Sequence, residues 1–530
     1  MLFNSYIFIF LFLPITLIVF YLIGGRGQHR VAISWLVSAS LFFYAWWNPV
    51  YIFLLIGSIV FNYALGRLLV KNRDDQTTSA KQTRRRLLAL GISTNLIALG
   101  YFKYANFFVE NANFLFSNSF HLENIILPLA ISFFTFQQIT YLVDAYRGVT
   151  HEYNFLHYSL FVVFFPQLIA GPIVHHKEML PQFSQNAIYL FTHDRIAIGL
   201  SIFIIGLFKK IVIADSIALY STPVFDAAHQ GESISFFEAW GGALSYTFQL
   251  YFDFSGYSDM AVGLAYLFGI RLALNFYSPY KADSIIEFWR RWHITLSRFL
   301  RDYLYIPLGG NKNGSLRRYT NIMITMLLGG LWHGAGWNFV IWGALHGLYL
   351  ILNHLWRNFY IAIKGNANQV SCWSKYLARS ITFLAIVIAW VFFRAESIPA
   401  ALEILKGMAA MNGVILPPSY MDYLNYIFSA GNFLHSIGWR FENNIPYFGG
   451  IGHFLFLVLL LIIVWFFPNI YQIFGKHSPF IDTTYIAKPS QANSRIKWQA
   501  NPIIATAISL LFFIVIFKMD ATSEFLYFQF

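Results

Sequence analysis

Charged residues are scarce in this sequence. Only 11% of its 530 residues are Asp, Glu, Lys or Arg, whereas 57% are hydrophobic and 20% are aromatic. A soluble globular domain carries about 25% charged residues, so this chain has too little charge to cover a folded surface in water. The composition excludes an ordinary soluble enzyme and indicates that much of the chain lies in lipid.

Cysteine and the signatures of soluble enzymes are missing as well. The single cysteine, Cys372, cannot form a disulfide within the chain, and it rules out a metal site made of clustered cysteines. We find no G-x-S-x-G elbow, Walker loop, H-E-x-x-H motif or dinucleotide fingerprint. Residues 254–258 lack the first glycine of the elbow, so no serine stands out as a nucleophile. We therefore expect neither a metal nor a bound cofactor.

Long uncharged apolar runs take the place of charge. Six examples are residues 7–23, 51–66, 87–102, 381–393, 454–467 and 503–517. About 20 such residues cross a bilayer as a helix, and shorter runs pair with semi-polar flanks, which gives about ten to thirteen candidate spans. No basic residue precedes the first run and no A-x-A-like site follows it, so we expect a retained helix rather than a signal peptide. The sequence thus predicts an all-α integral membrane protein.

The distribution of basic residues predicts an orientation. Lysine and arginine accumulate in cytoplasmic loops of membrane proteins, so the net charge of +12 requires no nucleic-acid partner. Arg26 and Arg30 follow the first run, a basic block from Lys71 to Arg86 follows the third, and an uncharged turn at residues 47–49 separates them. This pattern predicts a multi-pass protein whose N-terminus is external.

Two segments depart from the alternation of spans and loops. Residues 281–318 contain eight basic and three acidic side chains among tryptophans and tyrosines, a mixture that favours amphipathic helices at the cytoplasmic interface. Residues 396–450 form the longest external loop. Lys209 and Lys210 interrupt an apolar run, which predicts that a helix breaks or ends there. We find no repeat and no soluble domain, so residues 1–530 are interpreted as one polytopic domain.

Histidines supply the candidate chemistry. His333 lies in the stretch Leu-Leu-Gly-Gly-Leu-Trp-His-Gly-Ala-Gly-Trp inside an apolar segment, where an ionisable group is a functional hypothesis. The residues alone leave open whether it accepts protons or only hydrogen-bonds between helices. His293, which follows Trp289-Arg290-Arg291-Trp292, is interpreted on the same basis as an interface anchor, and His346 and His354 as packing residues.

Other polar residues favour structural roles. Asp253 and Asp259 lie in an apolar run, so we expect them to face the protein interior and to have partners. His175 and His176 are adjacent and do not share a helix face, which argues against a metal site.

Seven motifs together resemble the membrane-bound O-acyltransferases, and within them the bacterial alginate O-acetylation proteins. They are residues 100–106, 165–172, 249–260, 287–310, 327–338, 390–396 and 525–530. The resemblance implies about 11 to 13 transmembrane helices, with interfacial or re-entrant helices around a central funnel or tunnel. It also implies that the essential histidine of the Trp-His-Gly motif is His333 and that the second functional histidine is His293. The resemblance therefore favours a functional role over a structural one for both residues.

The resemblance implies acetyl-CoA as the cytoplasmic donor, and CoA is polyanionic, so arginines are suited to hold it. The residues predicted to contact donor or substrate are Asn275, Trp289, Arg290, Arg291, Trp292, Arg298, Arg301, Tyr303 and Trp332. His333 is predicted to act as a general base on an acceptor hydroxyl, with an acetyl-histidine relay as the alternative.

The predicted acceptor is an extracytoplasmic polysaccharide outside the bacterial inner membrane, and the polymer stays open between alginate, peptidoglycan, cellulose and other glycans. Because the external loop lacks a serine signature, we expect a periplasmic or membrane-anchored partner with a Ser-His-Asp-type site. The alternatives are an acyltransferase acting on teichoic acid, lipid or protein, and a transporter, which would be expected to show internal repeats.

Overall fold

The computed structural model describes residues 1–73, 77–117, 119–120, 122–123, 125–149, 154–364, 371–428, 431–481, 496–519 and 526. Within these ranges the chain is predominantly helical, and strands occur only as two parallel pairs of two residues each. The prediction of an all-α membrane fold is confirmed. The motif at residues 525–530 lies outside the described residues except for Leu526.

The helices of the N-terminal part are α1 (Leu13–Gly24), α2 (His29–Ala45), α3 (Tyr51–Lys71), α4 (Thr78–Leu99), α5 (Ala105–Phe116), α6 (Ile131–Arg147), α7 (Phe155–Val163), α8 (Phe165–Leu168) and α9 (His176–Phe183). Two π-helical turns, Phe8–Phe12 and Gly100–Tyr104, precede α1 and α5. A 3-10 turn at Asn186–Tyr189 follows α9.

The helices of the middle part are α10 (His193–Phe208), α11 (Asp215–His229), α12 (Phe236–Leu267), α13 (Ile285–Arg291), α14 (Ile294–Leu300), α15 (Gly314–His333) and α16 (Trp337–Lys364). π-Helical turns at Lys209–Ala214 and Arg301–Tyr305 and a 3-10 turn at Pro279–Lys281 connect some of them.

The helices of the C-terminal part are α17 (Cys372–Arg394), α18 (Ile398–Met408), α19 (Pro418–Phe428), α20 (Gly431–Ser436), α21 (Gly450–Phe466), α22 (Ile470–Phe474) and α23 (Pro502–Lys518), with a 3-10 turn at Gly475–His477. Strand β1 (Leu272–Ala273) pairs with β4 (Phe480–Ile481), and β2 (Ile415–Leu416) pairs with β3 (Arg440–Phe441).

Several helices have the length and composition of membrane spans. Among the described residues five qualify, and a sixth does if the bent pair Gly450–Phe466 and Ile470–His477 counts as one span. The shorter apolar helices Phe8–Gly24 and Pro502–Lys518 add to these. Long helices that pack against other helices, such as α12 and α15, carry polar residues and do not meet the hydropathy criterion. The total of 11 to 13 spans therefore stays a prediction.

Helix α12 forms the centre of the molecule. Its start is closed by a capping box in which Ser235 and Glu238 satisfy each other's backbone N–H groups. Most of its side chains are buried, and it packs against α10, α11, α17 and α18. Gly206 and Gly256 allow α10 and α12 to approach closely, because a methyl group on either would overlap the other's carbonyl oxygen.

Buried ion pairs join α12 to the helix beside it. Lys209 Nζ lies 2.6 Å from Asp259 Oδ2, and Lys210 Nζ lies 2.6 Å from Asp253 Oδ1 and 2.8 Å from Asp215 Oδ1. The expectation that both aspartates of α12 have interior partners is confirmed. The expectation that the helix breaks at the two lysines is wrong: the helix continues from His193 to His229 through a π-helical turn, because the aspartates neutralise the lysines.

The long external loop predicted at residues 396–450 is partly helical. Its first helix, α18, packs against α12, and its residues Ala401 and Ile404 are buried. The indole N–H of Trp240 in α12 donates to the carbonyl oxygen of Met408 at 3.0 Å. Part of this segment therefore belongs to the body of the protein.

Candidate active site

His333 is the last residue of α15. The helix packs along α16 as a tight hairpin, because Gly330 and Gly343 leave no side chain between the two backbones. Residues 334–336, which include two glycines, then turn the chain into α16. The ring of His333 packs edge-on against Trp342 of α16 and Phe393 of α17, with centroids 5.0 and 5.1 Å away. Packing on two neighbouring helices therefore fixes the imidazole.

Trp332 links the two histidines predicted to be functional. Its ring centroid lies 4.9 Å from that of His333 and 6.2 Å from that of His293. On its other side the indole stacks on Phe136 of α6 at 5.2 Å. The structure thus brings His333 and His293, which are 40 residues apart in the sequence, to one aromatic cluster.

His293 is held by Asn275. The residue has a left-handed backbone conformation, with φ of 41°, at the start of α14, and it is completely buried. Asn275 Oδ1 lies 3.0 Å from His293 Nδ1 and also accepts from Thr295 Oγ1 at 3.0 Å. An amide oxygen only accepts, so Nδ1 carries the proton and Nε2 carries the lone pair. Burial lowers the pKa of His293 to about 3, and the ring is neutral at physiological pH.

His346 belongs to the same cluster. Its ring centroid lies 4.7 Å from that of Trp342, and its Nδ1 accepts from Trp289 Nε1 at 3.3 Å. Trp292 packs on Trp390, with centroids 4.9 Å apart. Trp289 and Trp292 are therefore buried among other aromatic rings, which is a packing position rather than an open binding surface.

A cavity of about 450 Å³ opens onto His333. Its wall contains the N-terminal segment, the turn between α2 and α3, the segment before α6 and the end of α15. The lining residues are Met1, Leu2, Ser5, Ile7, Trp46, Trp47, Lys103, Leu127, Pro128, Leu129, Ala130, Ile131, Ser132, Phe133, Ile169, Trp332 and His333. A second cavity of about 280 Å³ adjoins Lys103, Gly334 and Phe339.

Three of the four predicted donor-binding arginines form ion pairs. Arg291 pairs with Glu287, Arg298 with Glu178, and Arg301 with Asp302. Arg290 is exposed. All four arginines lie in one segment of the sequence, but three of them already have a carboxylate partner. The partner of Arg298, Glu178, lies 120 residues away in the sequence.

Tyr303 lies in a separate polar cluster. Its hydroxyl donates to Asp144 Oδ2 at 3.0 Å and lies 3.3 Å from His175 Nδ1. His176 approaches the same carboxylate at 3.6 Å. Among the described residues, no group of three or more His, Cys, Asp or Glu side chains has a geometry that could hold a metal.

The sequence reasoning missed Lys103 as a site residue. This lysine lies in the π-helical turn Gly100–Tyr104 and lines both cavities. Its Nζ donates to the carbonyl oxygens of Trp332 and His333 at 2.6 and 3.0 Å. The signal was present, because a lysine within an apolar helix is itself a functional hypothesis, but the residue was treated only as part of a family motif.

Comparison with known proteins identifies the class of this fold and site. The model of the membrane-bound O-acyltransferase family matches residues 35–393. The matched region is more than half of the chain and contains both histidines, Asn275 and Lys103. The chain therefore belongs to the membrane-bound O-acyltransferase family, and it is an O-acyltransferase.

Relatives with high sequence identity indicate which members of the family this chain resembles. The peptidoglycan O-acetyltransferase of Helicobacter pylori is 47% identical over 449 residues, which cover 78% of this chain and 81% of that protein. The protein named Probable alginate O-acetylase AlgI of Pseudomonas aeruginosa is 44% identical over 414 residues, 77% of this chain and 75% of that protein. The teichoic acid D-alanyltransferase of Streptococcus thermophilus is 27% identical over 286 residues, 51% and 69% of the two chains.

Proposed function

We propose that this protein moves acetyl groups from cytoplasmic acetyl-CoA across the bacterial inner membrane for O-acetylation of an extracytoplasmic polysaccharide. The observation that carries the proposal is His333, a histidine at the buried end of α15 that lines a cavity of about 450 Å³. A neutral imidazole with access to a cavity is suited to accept a hydroxyl proton. Relatives named as O-acetyltransferases of peptidoglycan and alginate support the acyl group and the acceptor class.

The direction of transfer rests on the two ends of α15. Its 20 residues correspond to about 30 Å of helix. It begins beside Arg317 and Arg318, in the segment predicted to be cytoplasmic, and ends at His333. The cavity at that end is lined by Met1, Trp46 and Trp47, which the positive-inside pattern assigns to the outside. The acceptor then approaches through this cavity and the donor from the opposite side.

The proposed reaction is an acyl transfer with His333 as general base. The imidazole takes the proton of the acceptor hydroxyl, and the oxygen forms a bond to the acetyl carbonyl carbon. The tetrahedral intermediate then expels the CoA thiolate, which takes the proton back from the imidazolium. The products are an O-acetyl ester and free CoA. In the alternative relay, His333 attacks the acetyl carbon and expels the CoA thiolate. The acceptor hydroxyl then attacks acetyl-histidine, which releases the imidazole, and the hydroxyl proton goes to the thiolate.

The donor side requires movement of aromatic side chains. Trp332, Trp342 and His346 fill the space next to His333. An acetyl thioester that arrives from the side of residues 281–318 has to displace part of this cluster. Exposed Arg290 is the member of the predicted arginine set best placed to meet the CoA phosphates, since the other three already pair with carboxylates.

The relatives differ in the polymer that their names give as the acceptor: peptidoglycan, alginate or teichoic acid. Mass spectrometry of peptidoglycan and exopolysaccharide from a deletion strain, complemented with the wild-type gene, measures which glycan loses and regains acetyl groups. Loss of D-alanine from teichoic acid without loss of O-acetyl groups would favour the activity named for the more distant relative.

His333→Ala should abolish O-acetylation in this strain, since it removes the proposed base. His293→Ala should lower it, because the neutral ring contacts Trp332 beside the site. The matched control is His354→Ala, which removes a half-buried histidine of α16 outside the cluster. Immunoblots of membranes verify that each variant accumulates. Near-normal acetylation by His333→Ala would refute the assignment.

The orientation is tested by labelling a cysteine at position 313. In a chain that also carries Cys372→Ser, Asn313→Cys should react only with a maleimide that crosses the membrane, because the positive-inside rule predicts a cytoplasmic location for residues 281–318 with their eight basic side chains. Efficient labelling of intact spheroplasts by an impermeant maleimide would reverse the direction of transfer.

The partner is tested by reconstitution. The described part of the external segment is small and α18 packs into the body, which leaves little material for a preorganised second site. We therefore expect a Ser-His-Asp-type partner to complete transfer to the polymer. Liposomes that contain the purified protein alone, with acetyl-CoA inside and polymer outside, should produce little acetylated polymer. Product at a catalytic rate would show that the partner is dispensable.

A further inference from the structure

The end of α15 has carbonyl oxygens without helical partners. The last four carbonyls of any helix lack a donor four residues further on, and here that end is buried, with Trp332 and His333 each 5% exposed. Gly334 continues in an extended conformation, with φ of −160° and ψ of 153°. It is not the left-handed glycine that supplies N–H groups to many helix ends, so donors have to come from elsewhere in the chain.

The π-helical turn Gly100–Tyr104 supplies these donors. The Tyr104 hydroxyl donates to the carbonyl oxygen of Leu331 at 2.7 Å. Lys103 Nζ donates to those of Trp332 and His333 at 2.6 and 3.0 Å. An ammonium has three N–H groups, and these bonds use two of them, while the nitrogen also lines both cavities. Lys103 therefore touches the site and the helix end that carries the base.

The charge of Lys103 has a consequence for His333. The C-terminal end of a helix carries roughly half of a negative elementary charge, which favours a protonated histidine there. A protonated imidazole cannot accept a proton. The ammonium bound to the same carbonyls opposes this effect.

Among the described residues, the other charged or titratable groups near His333 are the amino group of Met1, which lines the same cavity, and His293, His346 and Arg394. His293 is reached through Trp332 and His346 through Trp342. Arg394 of α17 follows Phe393, whose ring packs on His333. Its guanidinium forms an ion pair with Asp226, with Nη2 and Oδ1 3.7 Å apart.

We propose that Lys103 is a positioning residue that holds the last turn of α15 at the cavity and keeps His333 an unprotonated base. The inference rests on the proposed function, because it assigns Lys103 to the proton acceptor of that reaction. It holds equally for the acetyl-histidine route, since an imidazole nucleophile also has to be unprotonated.

Three substitutions separate the charge from the hydrogen bonds. Lys103→Gln keeps an N–H donor without charge, Lys103→Arg keeps both, and Tyr104→Phe removes a neighbouring bond to α15 without a change of charge. Each full-length variant is expressed in the deletion strain, and inside-out membrane vesicles that enclose the periplasmic contents and glycan are prepared, so that the proposed partner is present. Release of CoA from added acetyl-CoA is then measured as a function of pH.

In Lys103→Gln the acidic limb of the pH–rate profile should move to higher pH, because His333 is easier to protonate once the ammonium is gone. On that acidic limb kcat should fall, while KM for acetyl-CoA stays within about twofold. Lys103→Arg should keep the wild-type limb. Tyr104→Phe should lower kcat at all pH values without moving the limb.

A wild-type limb in Lys103→Gln would overturn the inference, even if the rate falls, because a purely structural role predicts that result. If Lys103→Gln does not accumulate in membranes, a shifted limb in Lys103→Arg would overturn it, and a wild-type limb there would support it. An active His333→Ala or an inactive wild type would instead overturn the proposed function.

Discussion

Gly330→Ala should inactivate the protein without unfolding it. In the α15–α16 hairpin, a methyl group on Gly330 would overlap the backbone carbonyl oxygen of Phe339 and would lie 3.2 Å from Cα of Gly343. Backbone atoms cannot rotate away, so the two helices have to separate by about 1 Å to restore ordinary contact distances. Such overpacking costs about 1 to 3 kcal/mol in stability.

The shift falls on the proposed catalytic base, because His333 is the third residue after Gly330 and lies on the same helix. A displacement of about 1 Å at a reacting group can lower the rate about 100-fold, which corresponds to about 2.7 kcal/mol in the activation free energy. We therefore expect O-acetylation by Gly330→Ala to fall about 100-fold, while the protein still accumulates in the membrane.

The adjacent glycine provides the control. A methyl group on Gly329 would meet the terminal Cδ1 of Leu300 at 3.2 Å, and the end of a flexible side chain can move aside. Both substitutions change helix propensity equally, by about 1 kcal/mol, so their difference reports packing against α16. Acetylation is measured by mass spectrometry, and membrane levels by immunoblot. Equal activities of Gly329→Ala and Gly330→Ala would refute the reasoning.

Two further predictions concern buried polar groups. Lys210→Met should destabilise the detergent-purified protein by about 3 to 5 kcal/mol, because Asp253 is left as an unpaired buried charge. The double variant with Asp253→Asn should recover most of that loss in thermal unfolding, and a double variant as unstable as the single one would contradict the pairing. Asn275→Ala should lower the transfer rate about tenfold, the equivalent of one lost hydrogen bond of about 1.4 kcal/mol, by releasing the Nδ1–H of His293. An unchanged rate would show that Asn275 does not orient the ring.

Local sequence patterns predict the architecture well. Apolar runs without charge lead to the membrane helices, since a helix is the simplest way to satisfy backbone hydrogen bonds in lipid. The motif around His333 leads to the family, which the match over residues 35–393 confirms. The mixed charges at residues 281–318 correspond to the short helices α13 and α14.

Interactions between distant segments were less accessible to sequence reasoning. The lysines at 209 and 210 look like a helix end, but aspartates from α12 neutralise them and the helix continues. The donor-binding interpretation of Arg298 did not foresee Glu178 as its partner. In both cases the acidic group lies dozens of residues away, and nothing in the local pattern names it.

The sequence by itself determined that this protein lies in a membrane, that it is helical and to which family it belongs, and it singled out His333 as the candidate base, because hydrophobicity and motif identity are properties of consecutive residues. Only the tertiary structure decided which groups surround that histidine. Lys103 meets its carbonyl oxygen from 230 residues away, and Trp332 joins it to His293. Helix packing sets these contacts, through glycine-lined approaches and interlocking aromatic rings, and therefore depends on three-dimensional shape rather than on spacing along the chain.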